Sequence, residues 1–203
     1  IKTLAGEGTL NINANTSVSG LFGSASQIGT LAVNEGSTFI LDSLDAVAED
    51  EEEGIAARDE VNLTATTMEV FGTAIVADNN ANTITTTNVN KGGILDVGSN
   101  EFASTVTLND GATLNIGFAN DVPAEGGVTT VKNGSVKELK GSKTEGDKAG
   151  VNFVFAADLD TEKFPNEVSI ADSIENGKQI VLNNNLLFDY AIGDEKVDGI
   201  TLD

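Results

Sequence analysis

Leu108-Asn109-Asp110-Gly111-Ala112-Thr113-Leu114 carries the pattern that decides the fold. An apolar residue is followed by Asn, one polar residue, Gly and then a β-rich run. The same phrase stands at Val33-Asn34-Glu35-Gly36-Ser37-Thr38-Phe39 and at Val89-Asn90-Lys91-Gly92-Gly93-Ile94-Leu95. A looser copy is Val131-Lys132-Asn133-Gly134-Ser135-Val136. In Ile12-Asn13-Ala14-Asn15-Thr16-Ser17-Val18 the turn position holds Asn15. Asn is the residue that best replaces Gly at positive φ, so this copy follows the same backbone logic. Asn15, Gly36, Gly92, Gly111 and Gly134 stand 21, 56, 19 and 23 residues apart, and the long interval spans nearly three repeats. A period of about 20 residues, built as strand, Gly turn and strand, is how a stacked β-solenoid is written in sequence.

Composition narrows the function. Hydrophobic residues make up 39% of 203, enough to bury a core. Two prolines among 203 residues exclude a collagen or polyproline reading. The net charge is −21, so nucleic acid is not expected as a partner, because phosphate contacts need a basic footprint. Docking on anionic lipid is disfavoured for the same reason. With no Cys and no His, thiolate and imidazole metal sites, Cys nucleophiles and His general bases are all excluded. No run of 18 apolar residues exists, so direct membrane insertion by a helix is not expected. The chain begins at Ile1 without a signal peptide, as expected of a processed form or a piece of a longer protein.

The chain divides by texture. Residues 1–136 read as solenoid strands, with Leu10, Ile12, Leu31, Val33, Leu95, Val97, Leu108, Leu114 and Ile116 as the stacked core. Residues 43–59 interrupt them. Five consecutive acids, Glu49, Asp50, Glu51, Glu52 and Glu53, cannot sit in a core. Leu44, Val47 and Ala48 have helical spacing, so a short amphipathic helix or an excursion loop is expected, either as a solvated insertion or as a binding loop. The spacing lapses between 60 and 90, and the turn geometry there stays open. Residues 137–150 hold four lysines, Lys137, Lys140, Lys143 and Lys148, and read as an exposed charged hairpin or loop. Residues 151–203 are richer in Phe and read as closing rungs or a cap.

No catalytic constellation stands out. A calcium hand starting at Asp158 would need Gly at its sixth position and Glu at its twelfth, where the chain has Lys163 and Ser169. No cofactor is therefore expected, and a looser Ca²⁺ site at a turn is the one metal reading left open. Phosphate loops, dinucleotide fingerprints and nucleophile elbows are all missing. Acid pairs alone carry no weight among 32 carboxylates. The candidate interaction residues are Glu49, Asp50, Glu51, Glu52 and Glu53 on the acidic insertion, and Lys140 and Lys143 on the charged loop. A flat Thr/Asn face is the third place where a partner could sit. Asn is frequent at the turns, where stacked amides can form ladders between strands.

Leu108-Asn109-Asp110-Gly111-Ala112-Thr113-Leu114-Asn115-Ile116 and Val33-Asn34-Glu35-Gly36-Ser37-Thr38-Phe39 resemble rungs of bacterial autotransporter passenger domains. Val151 to Ile192 is similar to the closing region of such passengers: a Phe-rich strand, an Asp-Leu turn, Val168-Ser169-Ile170 and Gly177-Lys178-Gln179-Ile180-Val181-Leu182. The resemblance implies a right-handed parallel β-helix, export through the cell envelope and display outside a Gram-negative cell. It carries over no catalytic residue.

The expected function is that of a non-enzymatic, secreted or cell-surface adhesin or structural stalk. Its partners would be a surface protein or glycan of a host or neighbouring cell, or copies of itself. A self-assembling surface-layer or filament subunit is the alternative, and a polysaccharide-acting β-helix enzyme the second alternative.

Overall fold

The structure is a computed structural model, and it describes residues 6–18, 28–42, 63–77, 83–123, 127–141, 149–165, 168–175 and 180–182. It is mostly β, with parallel sheets. Strands come in pairs along the chain: β1 (Glu7–Ile12) and β2 (Thr16–Val18), then β3 (Ile28–Val33) and β4 (Thr38–Leu41), then β5 (Thr64–Val70) and β6 (Thr73–Val76). These are followed by β7 (Thr83–Val89) and β8 (Ile94–Asp96), then β9 (Glu101–Leu108) and β10 (Thr113–Asp121). After β11 (Thr130–Asn133) come β12 (Ser135–Gly141), β13 (Ala149–Phe155), a 3-10 turn (Thr161–Lys163), β14 (Ala171–Glu175) and β15 (Ile180–Leu182). Members of a pair go to different sheets. The first sheet has the order β1-β3-β5-β7-β9-β12-β14, and the second has β15-β13-β10-β8-β6-β4-β2. Every neighbour along both orders is parallel. Each new pair thus lies on the previous one, and residues about one repeat apart in sequence become neighbours in space.

Alternation along each strand explains the core. On the first sheet Ile12, Val33, Val70, Val89 and Leu108 are in register, and all are buried. Beside them run Leu31, Met68, Thr87, Val106 and Leu139. On the second sheet Phe39, Ala74, Leu95, Leu114 and Val151 form the matching row. All nine residues expected in the core are there, with eight buried and Leu10 partly buried against them. Each large aliphatic side chain taken from water in this way contributes roughly 1.5–3 kcal/mol.

The Gly turns join the two members of a pair. Ser37 N–H donates to Asn34 O (3.1 Å), Gly93 N–H to Asn90 O (2.8 Å) and Ala112 N–H to Asn109 O (3.0 Å). Gly36, Gly92 and Gly111 occupy the third turn position with φ of 76°, 79° and 73°. A type II turn places its third residue there, which only Gly or Asn adopts readily. The turns also stack. Asn34 Nδ2 donates to Asn13 Oδ1 (2.5 Å), and Asn109 Nδ2 to Asn90 Oδ1 (3.0 Å). The expected amide ladder is therefore present in two segments.

Three expectations need correction. The charged loop over 137–150 does not begin at 137: Ser135–Gly141 is a strand, with Val136 and Leu139 buried. A register shift between Val136 and Glu138 pushes Lys137 outward and breaks the simple alternation. Gly134, read as a looser turn copy, is not a left-handed turn glycine. A side chain there would run into the Gly98 carbonyl of a lower turn, so Gly134 permits close approach instead. The β11 strand beside it, read as one more solenoid strand, pairs antiparallel with the end of β10, and Val128 ahead of it is 72% exposed. Between 60 and 90, where turn chemistry stays open in the sequence, β5 turns into β6 through Phe71 and Gly72 alone.

Candidate binding face

The solvent side of the first sheet carries a row of threonines. Thr9, Thr30, Thr67, Thr86 and Thr105 pair directly across β1, β3, β5, β7 and β9. The row continues to Glu138 on β12 and Ser173 on β14. Thr suits this position, because its branched side chain packs well on a pleated, half-buried surface. The hydroxyls are coupled: Thr67 Oγ1 and Thr86 Oγ1 lie 3.2 Å apart, Thr86 Oγ1 also donates to Thr66 O (3.3 Å), and Thr105 Oγ1 donates to Glu138 Oε2 (3.2 Å).

Local irregularity widens the row. In β5 and β7 two adjacent residues face outward, Thr66 with Thr67 and Thr85 with Thr86. Thr64, Thr83 and Thr107 are outward as well. A second row in register runs Asn11, the buried Ala32, and then outward Glu69, Asn88, Thr107 and Lys140. Its central carboxylate is tied down: Glu69 Oε1 accepts from Asn88 Nδ2 (2.7 Å), and Oε2 accepts from Asn90 Nδ2 (2.9 Å). From β3 to β9 the outward positions therefore hold nine threonines, while Glu69 and Glu101 are the carboxylates. The bland account of such residues is a solvated, β-favouring surface, and it explains their type but not their register.

The second sheet has its own outer ladder. Asp96 Oδ1 accepts from Gly98 N–H (2.9 Å), Asp96 Oδ2 accepts from Asn115 Nδ2 (3.3 Å), and Asn115 Oδ1 accepts from Asn152 Nδ2 (3.0 Å). On the next strands of this row stand Ile75 and Ile40, so the ladder is polar at one end and apolar at the other. The β10–β11 hairpin is bolted to the segment before the 3-10 turn. Asn120 Nδ2 donates to Asp158 O (2.7 Å), and Asp160 N–H donates to Asn120 Oδ1 (2.8 Å). Phe118 at its base contacts the rings of Phe153, Phe155 and Phe164, with centroids 5.8, 4.8 and 5.3 Å away.

Of the sequence-derived site residues, Glu49, Asp50, Glu51, Glu52, Glu53 and Lys143 lie outside the described residues. Lys140 is described: it stands on β12, in the second outward row, with Nζ 3.3 Å from Glu138 Oε1. Lys140 therefore belongs to the sheet face and not to a loop. Asp160, within the stretch that fails as a calcium hand, accepts from Glu162 N–H (3.1 Å) as the cap of the 3-10 turn. Among the described residues no three Asp or Glu side chains gather as a metal-holding group. No helix among them is long and apolar enough to cross a membrane. Sequence reasoning pointed to a Thr/Asn face without naming its members. Thr at equivalent positions of successive repeats was the available signal, hidden by the unequal spacing.

Comparison with protein-family models, with curated proteins and with solved structures gives no match.

Proposed function

We propose that this chain is part of a right-handed parallel β-helix displayed outside a bacterial cell, where it acts without catalysis as an adhesin or stalk. One observation carries this reading: strand pairs stack in parallel from β1/β2 to β14/β15, around rows of buried, mostly apolar side chains. Such a stack is stiff, because each backbone ladder is held by the layers on either side, and it repeats one outer face at every layer. The autotransporter-like phrases around Gly36 and Gly111 suit export and surface display. The strong negative charge suits solubility outside the cell. On this reading the partner is a protein or glycan of a neighbouring or host cell.

A second reading, self-assembly into a layer or filament, is favoured by the sheet ends. Among the described residues β1, β2, β14 and β15 each pair along one edge only. A free parallel edge can take up a strand of another copy. Light scattering and negative-stain imaging of the purified chain, with and without millimolar Ca²⁺, separate the two. The adhesin or stalk predicts a monodisperse monomer in both conditions. Ordered filaments or sheets would overturn it in favour of assembly, with any Ca²⁺ dependence making the acidic surface the switch.

A further inference from the structure

We infer that Asn133-Gly134 is a latent modification site: the folded stack holds it inert, and it deamidates through a succinimide only when the corner between β11 and β12 opens. The inference stands apart from the adhesive reading above, because it needs no partner.

Asn followed by Gly is the dipeptide most prone to this reaction, since Gly leaves the attacking nitrogen unhindered. The Gly134 nitrogen gives up its proton and bonds to Asn133 Cγ, the Cγ–Nδ2 bond breaks, and ammonia leaves with the proton. Water then opens the succinimide at either carbonyl, giving Asp or isoaspartate. The fold ties down both halves of the reaction. Asn133 Nδ2 donates to Gly134 O (2.8 Å) and to Ser169 O (2.8 Å), which occupies both hydrogens of the leaving amide. The proton that must be lost is engaged as well, because Gly134 N–H donates to Gly117 O (2.8 Å). A side chain at Gly134 would run into Gly98 O and Val97 Cγ2, so the backbone there has no room to rotate. The chain beyond is pinned too: Ser135 N–H donates to Asn100 O (3.0 Å), and Val136 N–H to Ile170 O (2.9 Å). A second Asn-Gly, Asn176-Gly177, lies outside the described residues.

The product does not refit. Either outcome replaces the two amide donors by a carboxylate, which then faces the carbonyl oxygens of Gly134 and Ser169 with no proton between them. Isoaspartate also routes the main chain through Cβ. That adds one carbon between β11 and β12, where Gly134 already touches Gly98 O. Opening of this corner is therefore recorded as a permanent negative charge below the β12 and β14 strands. When reclosing is fast, the reaction rate tracks the open fraction. The two bonds from Asn133 and the one from Gly134 must be released, each worth about fivefold in population. Native Asn133 should thus react roughly a hundredfold more slowly than in the unfolded chain.

The test is incubation of the purified chain at mildly alkaline pH, with and without denaturing urea, followed by peptide mapping with isoaspartate detection. A synthetic peptide covering residues 129–138 gives the unhindered rate. Urea should bring Asn133 up to the peptide rate, and the native chain should stay roughly a hundredfold below it. Ile170→Val trims a buried side chain next to Ser169 and should speed the native reaction about fivefold. Ile28→Val makes the same change at the far end of the stack and should leave the rate as it was. Asn133→Asp installs the carboxylate directly. It should speed amide hydrogen exchange in β12 and β14 while β3 and β5 keep the parent rates. Native deamidation as fast as in the peptide overturns the assignment. So does equal acceleration by both Val variants or by neither, and so does unchanged exchange in Asn133→Asp.

Discussion

Gly36 and Gly72 sit at the same corner of adjacent layers and should be sensitive to substitution for different reasons and by different amounts. Gly36 has φ of +76°, and a side chain there would meet nothing within 4 Å. Its constraint is conformational. Ala would cost about 1–2 kcal/mol for left-handed backbone, and Asn less, because it tolerates that region. Gly72 has the reverse problem. A Cβ there would overlap the backbone oxygens of Asn34 and Ser37, well inside 3.0 Å. Both oxygens are in use: Asn34 O accepts from Ser37 N–H (3.1 Å), and Ser37 O accepts from Thr73 N–H (2.9 Å). Relief requires opening this turn, at about 1 kcal/mol for each of two hydrogen bonds. Overpacking strain adds about 1–3 kcal/mol. Gly72→Ala should therefore destabilise by about 3–5 kcal/mol, and Gly36→Asn by less than about 1 kcal/mol. With a urea slope of about 2 kcal/mol per molar, the Gly72 variant should unfold roughly 1.5–2.5 M earlier. Urea titration followed by circular dichroism reads this directly. A Gly72→Ala midpoint within a few tenths molar of the parent, or a larger loss for Gly36→Asn, would refute the stacking of these turns.

Other substitutions probe the interior. Thr87 and Ser104 are fully buried and share a hydrogen bond of 2.9 Å in the core. Thr87→Val alone strands the Ser104 hydroxyl and should cost about 1–3 kcal/mol, while adding Ser104→Ala should restore most of it, as a double-mutant cycle in urea would show. Phe118→Ala removes a ring 1% exposed at the base of the hairpin and should cost about 3–5 kcal/mol, against under about 0.5 kcal/mol for Val128→Ala at its exposed end. Because the net charge is −21, the thermal midpoint should rise from low to moderate salt, and a midpoint that falls would argue against self-repulsion as a destabilising force.

The stack was legible where local chemistry dictates geometry. Gly36, Gly92 and Gly111 announce left-handed turns because few other residues adopt that backbone, and Leu31/Val33 or Leu114/Ile116 announce an inward face by alternation. What escaped was set by neighbours in space. Gly72 is demanded by the carbonyls of Asn34 and Ser37, which are distant in sequence, so its turn carries no phrase of its own. The lysines of 137–140 look like a loop because the irregularity at Lys137 breaks the alternation, although Val136 and Leu139 are buried. Antiparallel β11 was indistinguishable from another repeat, since alternation has the same period in either strand direction. The threonine row needed the register itself, because the interval from Thr30 to Thr67 contains the acidic insertion.

The central claim is that separation in space counts strands and not residues. The chain has no Cys, so paired cysteines for spin labels can be placed without background. Dipolar electron paramagnetic resonance on Thr9→Cys/Thr105→Cys and Thr9→Cys/Ser173→Cys spans four and six strand steps. At about 4.8 Å per step the backbone separations should be roughly 19 and 29 Å. Thr30→Cys/Thr67→Cys and Thr67→Cys/Thr86→Cys should give equal, short distances despite their unequal sequence separation. Equal short pairs together with a steady increase along the row is the predicted result. A Thr9–Ser173 distance no longer than Thr9–Thr105, or a Thr30–Thr67 pair far longer than Thr67–Thr86, would contradict the account.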